Sequence, residues 1–209
     1  MKCYVYKMTA DNGGAPCIED GLLSLAICKP DIRSTALPNA NNWLFGFGGK
    51  DLGRRLIYIA EVTGKVESGG YYRQPEYASR KDCIYRWDGS RYAWKQGACF
   101  HLDGIEIDSD IGDAALADKG HVLLSTNFRY LGGTRWEITS TRLPEINKLL
   151  DELRRKHRIS HSETLLEELR SVKCQVWATA PIMPAQPSSP VDHCSCLSND
   201  EGSAEVCSR

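Results

Sequence analysis

Residues 22–33 read Leu22-Leu23-Ser24-Leu25-Ala26-Ile27-Cys28-Lys29-Pro30-Asp31-Ile32-Arg33 and join an apolar strand to a cationic turn. Ten residues later the chain reads Trp43-Leu44-Phe45-Gly46-Phe47-Gly48-Gly49-Lys50, a strand rich in aromatic residues that ends in glycines and a lysine. The two segments predict adjacent strand ends that carry three cations and two aromatic rings: Lys29, Arg33, Lys50, Trp43 and Phe47.

This combination suits a flat, anionic ligand such as a nucleotide. The rings of Trp43 and Phe47 would stack on a base, and the three cations would neutralise phosphate. Exposed backbone at Gly46, Gly48 and Gly49 would allow close approach. A tight strand turn at the glycines and solvated turn charges at Lys29 and Arg33 are the alternatives.

Composition narrows the class of protein. The chain has 209 residues, enough for one domain with a sizeable core. It has 26 Lys and Arg against 27 Asp and Glu, so no global basic field attracts nucleic acid and any such binding needs a local patch. The start lacks the features of a signal peptide, and no apolar stretch is long enough to span a bilayer. We therefore expect a cytoplasmic protein with no membrane partner.

The nine cysteines are read as thiols. Without secretion, scattered cysteines such as Cys28 behave as small buried hydrophobes. The close cluster His193-Cys194-Ser195-Cys196 is followed only by Cys207, which does not match the spacing of a zinc site. We predict no metal and no cofactor.

A change in composition divides the chain near residue 180. Residues 181–190 are rich in proline and serine, and the remainder is small, polar and acidic. Such a segment buries too little apolar surface to offset its ordering entropy. We therefore predict one domain over residues 1–179 and a disordered tail over residues 180–209.

Short strands dominate the first half of the predicted domain. Apolar runs separated by Gly, Asn and Pro predict strands at Cys3–Lys7, Leu22–Cys28, Trp43–Phe47 and Leu56–Val66. A hairpin with an Asp-Gly turn follows at residues 85–94, where alternate aromatic residues share one face. That face suits a core better than a platform for stacking bases. Many short strands with few helices predict an α+β fold, namely a small, partly closed β-barrel with helices at its C-terminal end.

The C-terminal part of this domain reads as helical. Pro144 and the apolar spacing after it predict a first helix, and the basic residues 154–158 would lie at its end, solvated or touching phosphate. A capping box at residues 160–163 predicts the start of a second helix. A final strand is predicted at Cys174–Ala178.

In the N-terminal half, Lys29 precedes proline and is expected to have an extended backbone conformation.

No catalytic constellation stands out in the sequence. The stretch from Asp103 to Asp113 is acidic, but it lacks the pattern of a calcium loop, and a solvated loop is the better interpretation. His101 and His121 are possible bases, yet neither lies in a Ser or Cys nucleophile motif. Catalytic residues therefore remain unassigned.

Four segments resemble the nucleotide modification associated domain family, second type. The match as a whole extends in consistent order from residue 1 to about residue 178. The four segments that carry it are Leu25 to Arg33, Trp43 to Gly48, Leu56 to Val62, and Val122 to Gly132. The Cys-Lys-Pro-x-Ile-Arg and Phe-x-Tyr-x-Gly parts are the specific ones. Where family members carry Gly-Asp before the tryptophan, this chain has Asn41-Asn42.

The resemblance implies a link to systems that make or handle modified nucleobases in DNA. It also draws Phe128 and Tyr130 into the set of candidate ligand-binding residues. The strand order is similar, by analogy between folds, to PUA-like barrels that capture modified bases; such an analogy alone does not establish a function.

Three functional readings follow. The leading one is a binding module for a nucleotide, or for a modified base in nucleic acid. The alternative is an enzyme that acts on modified nucleotides as a transferase or hydrolase, with His101, Asp103 or His121 as acid or base. A protein-interaction module is the third. The sequence determines neither the base, nor DNA or RNA, nor the oligomeric state.

Overall fold

The computed structural model describes residues 1–132, 142–153 and 157–179. The strands are β1 (Lys2–Met8), β2 (Cys17–Glu19), β3 (Leu22–Leu25), β4 (Asn42–Gly48), β5 (Leu56–Glu61), β6 (Gly64–Val66), β7 (Tyr85–Trp87), β8 (Tyr92–Trp94), β9 (Val122–Ser125), β10 (Phe128–Tyr130) and β11 (His157–Arg158). The helices are α1 (Pro30–Thr35), α2 (Ile107–Asp110), α3 (Pro144–Glu152) and α4 (Glu163–Thr179), and short 3-10 turns lie at Lys50–Leu52, Gly70–Tyr72, Pro75–Tyr77 and Leu102–Gly104.

Two sheets and a hairpin organise the described residues. The central sheet has the strand order β10-β5-β4-β1-β11, and the second sheet has the order β2-β3-β9-β6. The hairpin β7-β8 stands apart from both. Strands β1 and β4 run parallel, whereas the other pairs are antiparallel. The mixed α+β class is therefore confirmed. Both strand orders are open within the described residues, and the barrel closure is not confirmed.

The central sheet has two apolar faces because successive side chains along a strand point to opposite sides. One face, with Val5 and Phe45, packs against α3 and α4. The opposite face, with Tyr6 and Tyr58, packs against the second sheet. A third cluster lies between the second sheet and the segment that contains the hairpin. The central sheet is thus buried between helices and strands.

Helix α4 replaces the predicted final strand at Cys174–Ala178, and that prediction is wrong. Leu165, Leu169, Val172 and Val176 are all buried and continue one helical face to the end of the segment. Neither glycine nor proline interrupts this spacing, so the β-branched and aromatic composition near residue 176 is overridden by packing. The helix begins near its expected place, where the Ser162 hydroxyl accepts a hydrogen bond from the Leu165 amide at 3.3 Å.

The hairpin is confirmed, and its aromatic face lies in the core as the sequence favoured. Tyr85 and Tyr92 are buried, whereas Arg86 on the opposite face is exposed. A buried polar network ties the preceding segment to β3. In it Asp82 accepts hydrogen bonds from Ser24 at 2.5 Å and from Tyr71 at 2.7 Å, and Arg80 lies 3.7 Å away.

Candidate functional site

The turn after β3 carries two consecutive residues in the left-handed region. Cys28 has φ 60° and Lys29 has φ 47°. The expectation that Lys29 is extended is therefore wrong. Pro30 disfavours only the right-handed helical region for its predecessor. Tertiary contacts make the choice, because the Cys28 amide donates to Asp110 at 2.7 Å and its carbonyl accepts from Arg33 at 2.6 Å. This sharp turn leaves Cys28 partly exposed.

Cys28, His101 and Asp110 form a connected triad. The Cys28 Sγ atom lies 3.5 Å from His101 Nε2, and His101 Nδ1 lies 2.5 Å from Asp110 Oδ2. An ionised carboxylate only accepts, so Nδ1 carries the proton in this arrangement and Nε2 faces the thiol as an acceptor. A thiol, an imidazole and a carboxylate in this order are the arrangement that activates a cysteine nucleophile.

Asp110 is fully buried and held by several donors. Its Oδ2 atom also accepts from the Tyr85 hydroxyl at 2.9 Å, while its Oδ1 atom accepts from the Cys28 amide. The carboxylate thus positions the imidazole and the backbone of the cysteine together. The prediction of a solvated acidic loop is wrong at this residue, because Asp110 is 0% exposed.

Arg33 is also fully buried, and its guanidinium is hydrogen-bonded to the protein backbone. Its guanidinium donates to the backbone carbonyls of Cys28, Asp110, Lys119 and His121 at 2.6 to 3.1 Å. Its Nη2 atom also lies 3.5 Å from Asp110 Oδ1. Arg33 therefore supports the triad from behind. In this conformation its N–H groups face protein oxygens, and its phosphate-binding role stays a prediction.

A row of tyrosines crosses the central sheet near the triad. Tyr6, Gly46, Tyr58 and Tyr130 occupy opposite positions on β1, β4, β5 and β10. Gly46 makes the row possible, since an added Cβ atom would lie 2.3 Å from the Tyr58 ring. The Tyr6 and Tyr58 hydroxyls therefore meet above the glycine, 2.5 Å apart. Lys29 places its Nζ atom 5.3 Å from the Tyr6 ring centroid.

A carboxylate lies next to the tyrosine row, at the end of the sheet where β1 finishes. Asp11 lies in the segment after β1, and the Tyr130 hydroxyl donates to both of its oxygens at 2.8 Å. Burial raises the pKa of Asp11, while Tyr130 and Arg55 act in the opposite direction. Because β1 and β4 are parallel, this is the edge where both strands end, a frequent position for ligands in sheets with parallel strands.

The predicted aromatic pair lies on the other face of the sheet. Trp43 is 3% exposed, with the Lys173 ammonium 3.7 Å above its ring and Trp177 edge-on at 5.4 Å. Phe47 is fully buried beside Phe45. A base would reach either ring only if this packing opened, so their stacking role stays a prediction.

The remaining predicted residues lie around the tyrosine row. Phe128 and Tyr130 are buried on the same face as Tyr6. Gly48 ends β4 against Leu52, and Lys50 is exposed in the turn that follows. The structure thus brings Lys29, Tyr130 and Phe128 onto one face, and leaves Lys50 at its edge.

The sequence shows each of the three triad residues separately and does not join them. The pattern around Cys28 predicts a core thiol, His101 is a candidate base, and Asp110 belongs to an acidic stretch. The signal that points to Cys28 is its position after an apolar strand and before Lys-Pro. Positions 28, 101 and 110 meet only in the tertiary structure, because such triads are defined by geometry and not by spacing.

Two other candidates are placed elsewhere. His121 accepts a 3.5 Å hydrogen bond from the Ser68 amide through Nδ1, and burial lowers its pKa. The side chain of Asp103 and the basic residues 154–156 lie outside the described residues, as do the His-Cys cluster and residues 180–209.

In the part of the chain that is described, no three His, Cys, Asp or Glu side chains are grouped to hold a metal ion. No described helix has both the length and the apolarity to cross a bilayer.

These features define a mixed α+β domain with a Cys-His-Asp triad at the end of a sheet. The family model for nucleotide modification associated domain 2 matches residues 1–187, and the chain belongs to this family. No curated protein and no solved structure matches the chain significantly. The resemblance seen in the sequence is thereby confirmed.

Proposed function

We propose that this domain is a cysteine-dependent enzyme that acts on a nucleotide or on a modified base. The observation that carries the proposal is the Cys28–His101–Asp110 triad. His101 takes the thiol proton, and the Cys28 thiolate attacks an electrophilic carbon of the base or its substituent. Asp110 orients the imidazole and stabilises its protonated form. The triad therefore favours an enzyme, which is the alternative hypothesis from the sequence, over the leading hypothesis of a binding module.

Family membership supports a nucleotide or modified base as the substrate. The groups next to Cys28 suit such a molecule. Lys29 supplies a cation one residue from the nucleophile, and Lys50 supplies another at the end of β4. Phe128 and Tyr130 are buried aromatic side chains on the same face as Tyr6, and Gly48 ends β4 against Leu52. We propose Lys29, Lys50, Phe128, Tyr130 and Gly48 as the ligand-binding set, with Arg33 acting through Asp110.

A binding module without turnover is the second candidate function. The observation in its favour is the row of tyrosine side chains, since aromatic rings and phenol hydroxyls are the groups that recognise a flipped base. In this reading the fold acts as a PUA-like barrel that holds a modified base in nucleic acid, and the triad is a buried polar network that supports the turn at Cys28.

Alkylation by iodoacetamide separates an activated cysteine from a structural one. At pH 7 we expect Cys28 to react faster than the exposed Cys99, although Cys28 is less accessible. His101→Gln should slow the reaction of Cys28 at least about tenfold, because the base is lost. Cys99 in the same sample is the matched control and should not change. Equal rates at both cysteines, insensitive to His101, would contradict the enzyme.

A panel of nucleotides and modified nucleosides tests turnover directly. Products are detected by mass spectrometry after incubation with the wild type, with Cys28→Ser and with Cys99→Ser. The enzyme reading expects a product from the wild type and from Cys99→Ser, and none from Cys28→Ser. Binding of a panel member with salt-dependent affinity but no product from any variant would favour the binding module.

A further inference from the structure

The Tyr6–Tyr58 hydroxyl pair is buried in an unusual way for a purely structural contact. Both side chains are at most 1% exposed, and their oxygens are 2.5 Å apart. Two hydroxyls carry two protons, and one hydrogen bond uses one of them. Among the described residues neither hydroxyl has a second hydrogen-bond partner. Within the described part of the chain, one hydroxyl hydrogen of the pair therefore has no acceptor, whereas buried polar groups are normally hydrogen-bonded.

These phenols stay protonated at physiological pH. Burial is the largest cause that raises the pKa of Tyr6 and of Tyr58. The negative charge of a Cys28 thiolate is a smaller cause that also raises the pKa of Tyr6. Lys29, the residue after Cys28, places its Nζ atom 5.3 Å from the Tyr6 ring centroid. The tyrosine pair thus lies on the sheet face that Lys29 contacts, next to the turn that carries the nucleophile.

A nucleophile that attacks a carbonyl needs donors for the oxygen that becomes negative. The backbone amide of the nucleophilic residue commonly supplies one of them in serine and cysteine enzymes. Here the Cys28 amide is already bonded to Asp110 Oδ1 at 2.7 Å. Another group near Cys28 can supply the donor, and among the described residues the tyrosine pair has a proton count that leaves a donor to give.

We propose that the Tyr6–Tyr58 pair stabilises the oxyanion in an acyl-transfer reaction at Cys28, so that the substrate carries an acyl, amide or ester carbon on its modified base. Because both side chains are at most 1% exposed, the substrate oxygen reaches the pair when the packing over the two hydroxyls opens. The inference rests on the proposed function and names its substrate class. The Lys29 ammonium, 5.3 Å from the Tyr6 ring centroid, adds positive charge near this pair. Gly46 belongs to this device, because its missing side chain lets the two phenols meet.

The step balances with water as the only co-reactant. The Cys28 sulfur forms a bond to the carbonyl carbon, and the C=O π pair moves to oxygen, which accepts the tyrosine hydrogen bond. Collapse breaks the bond to the leaving amine or alkoxide, which takes a proton from His101 Nε2. Water, deprotonated by His101, then cleaves the thioester and returns the thiol. The net change is hydrolysis of an acyl compound to an acid and an amine or alcohol.

The test compares acylation with alkylation of the same thiol in the full chain. 4-Nitrophenyl acetate reports acyl transfer through nitrophenolate release and through acetyl on the peptide that contains Cys28. Iodoacetamide reports displacement at a saturated carbon, which forms no oxyanion. The double variant Tyr6→Phe/Tyr58→Phe should acylate about 100-fold more slowly. Its alkylation rate should match the wild type.

Tyr4→Phe is the matched control, because Tyr4 lies on the same strand and sheet face, is equally buried, and donates to the Thr35 carbonyl at 3.0 Å. It should leave both rates unchanged. An equal fall of both rates in the double variant would show a structural role and overturn the inference, as would unchanged acylation. Either result leaves the proposed function standing if Cys28 remains activated by His101. A thiol that reacts with neither probe would overturn both.

Discussion

The Arg33 guanidinium and the Asp110 carboxylate lie side by side, with Nη2 3.5 Å from Oδ1 and neither side chain more than 1% exposed. Arg33 also holds four backbone carbonyls, which join the Cys28 turn to the segments around Asp110 and His121. A residue predicted from sequence to face phosphate is thus the support of the triad. This relationship leads to the first prediction.

Arg33→Met should lower the free energy of unfolding by about 3–5 kcal/mol, because it leaves the buried Asp110 charge without its partner. Arg33→Lys should also destabilise, since an ammonium does not reproduce the guanidinium's fan of donors. Urea denaturation measures both. Arg54→Met, which breaks the exposed pair with Asp151, is the control and should cost at most about 1 kcal/mol. Wild-type stability in Arg33→Met would contradict the structural role.

Asp110→Asn should reduce the reactivity of Cys28 at least about tenfold through the tautomer of His101. An amide that presents N–H to Nδ1 moves the imidazole proton to Nε2, where it can no longer accept from the thiol. Iodoacetamide kinetics resolved by peptide measure the effect, with Cys99 as the internal control. If the variant is folded by circular dichroism and Cys28 reacts at the wild-type rate, the triad is not functional.

Gly46→Ala should destabilise the protein by about 1–3 kcal/mol through overpacking. The new methyl group would lie 2.3 Å from the Tyr58 ring and 2.9 Å from the Met8 sulfur, in the middle of two paired strands. Gly64→Ala is the matched strand variant, because its nearest neighbour is the side chain of Leu124 at 3.3 Å. Thermal melts of the two should differ clearly. Equal melting temperatures would argue against the close packing of the tyrosine row.

His161 should make the fold sensitive to acid. Its Nε2–H group lies 2.9 Å from the Cys3 carbonyl, and its buried Nδ1 atom has no hydrogen-bond partner among the described residues. Burial is the main cause that lowers its pKa from 6.5. Below pH 6.5 the unfolded chain binds the proton that the folded chain resists, so stability falls as the pH drops through 6.5 towards the folded-state pKa. His161→Gln should flatten this part of the stability profile. A profile identical to the wild type between pH 7 and 5 would refute the assignment.

Deletion of residues 181–209 should leave the melting temperature nearly unchanged, because the composition of this segment predicts few buried contacts. A chelator should likewise have no effect on the full chain. Differential scanning calorimetry of both samples decides the matter. A drop of several degrees in either would mean that the tail is docked or holds a metal through its His-Cys cluster.

Local patterns in the sequence predicted much of the architecture. Alternation of aromatic residues predicted the hairpin at residues 85–94, and the apolar run before Val62 predicted a strand, because both patterns are local properties of the sequence. The starts of α3 at Pro144 and of α4 followed from proline and capping chemistry. The strand prediction at Cys174–Ala178 is wrong because these residues fit the spacing of a strand and also that of a helix. Packing on the central sheet selected the helix.

The sequence by itself determined the approximate positions of several strands, their residue types and the family; the tertiary structure decided where the strands end and which residues meet. Alternation turned Trp43 and Phe47 to the helix face and Tyr58 to the opposite one, a choice that depends on which neighbour covers each face. Cys28, His101 and Asp110 come together from three separate segments through hydrogen bonds that have no local signature. Burial also placed the Arg33 guanidinium among backbone carbonyls, a structural contact that no local pattern in the sequence indicates.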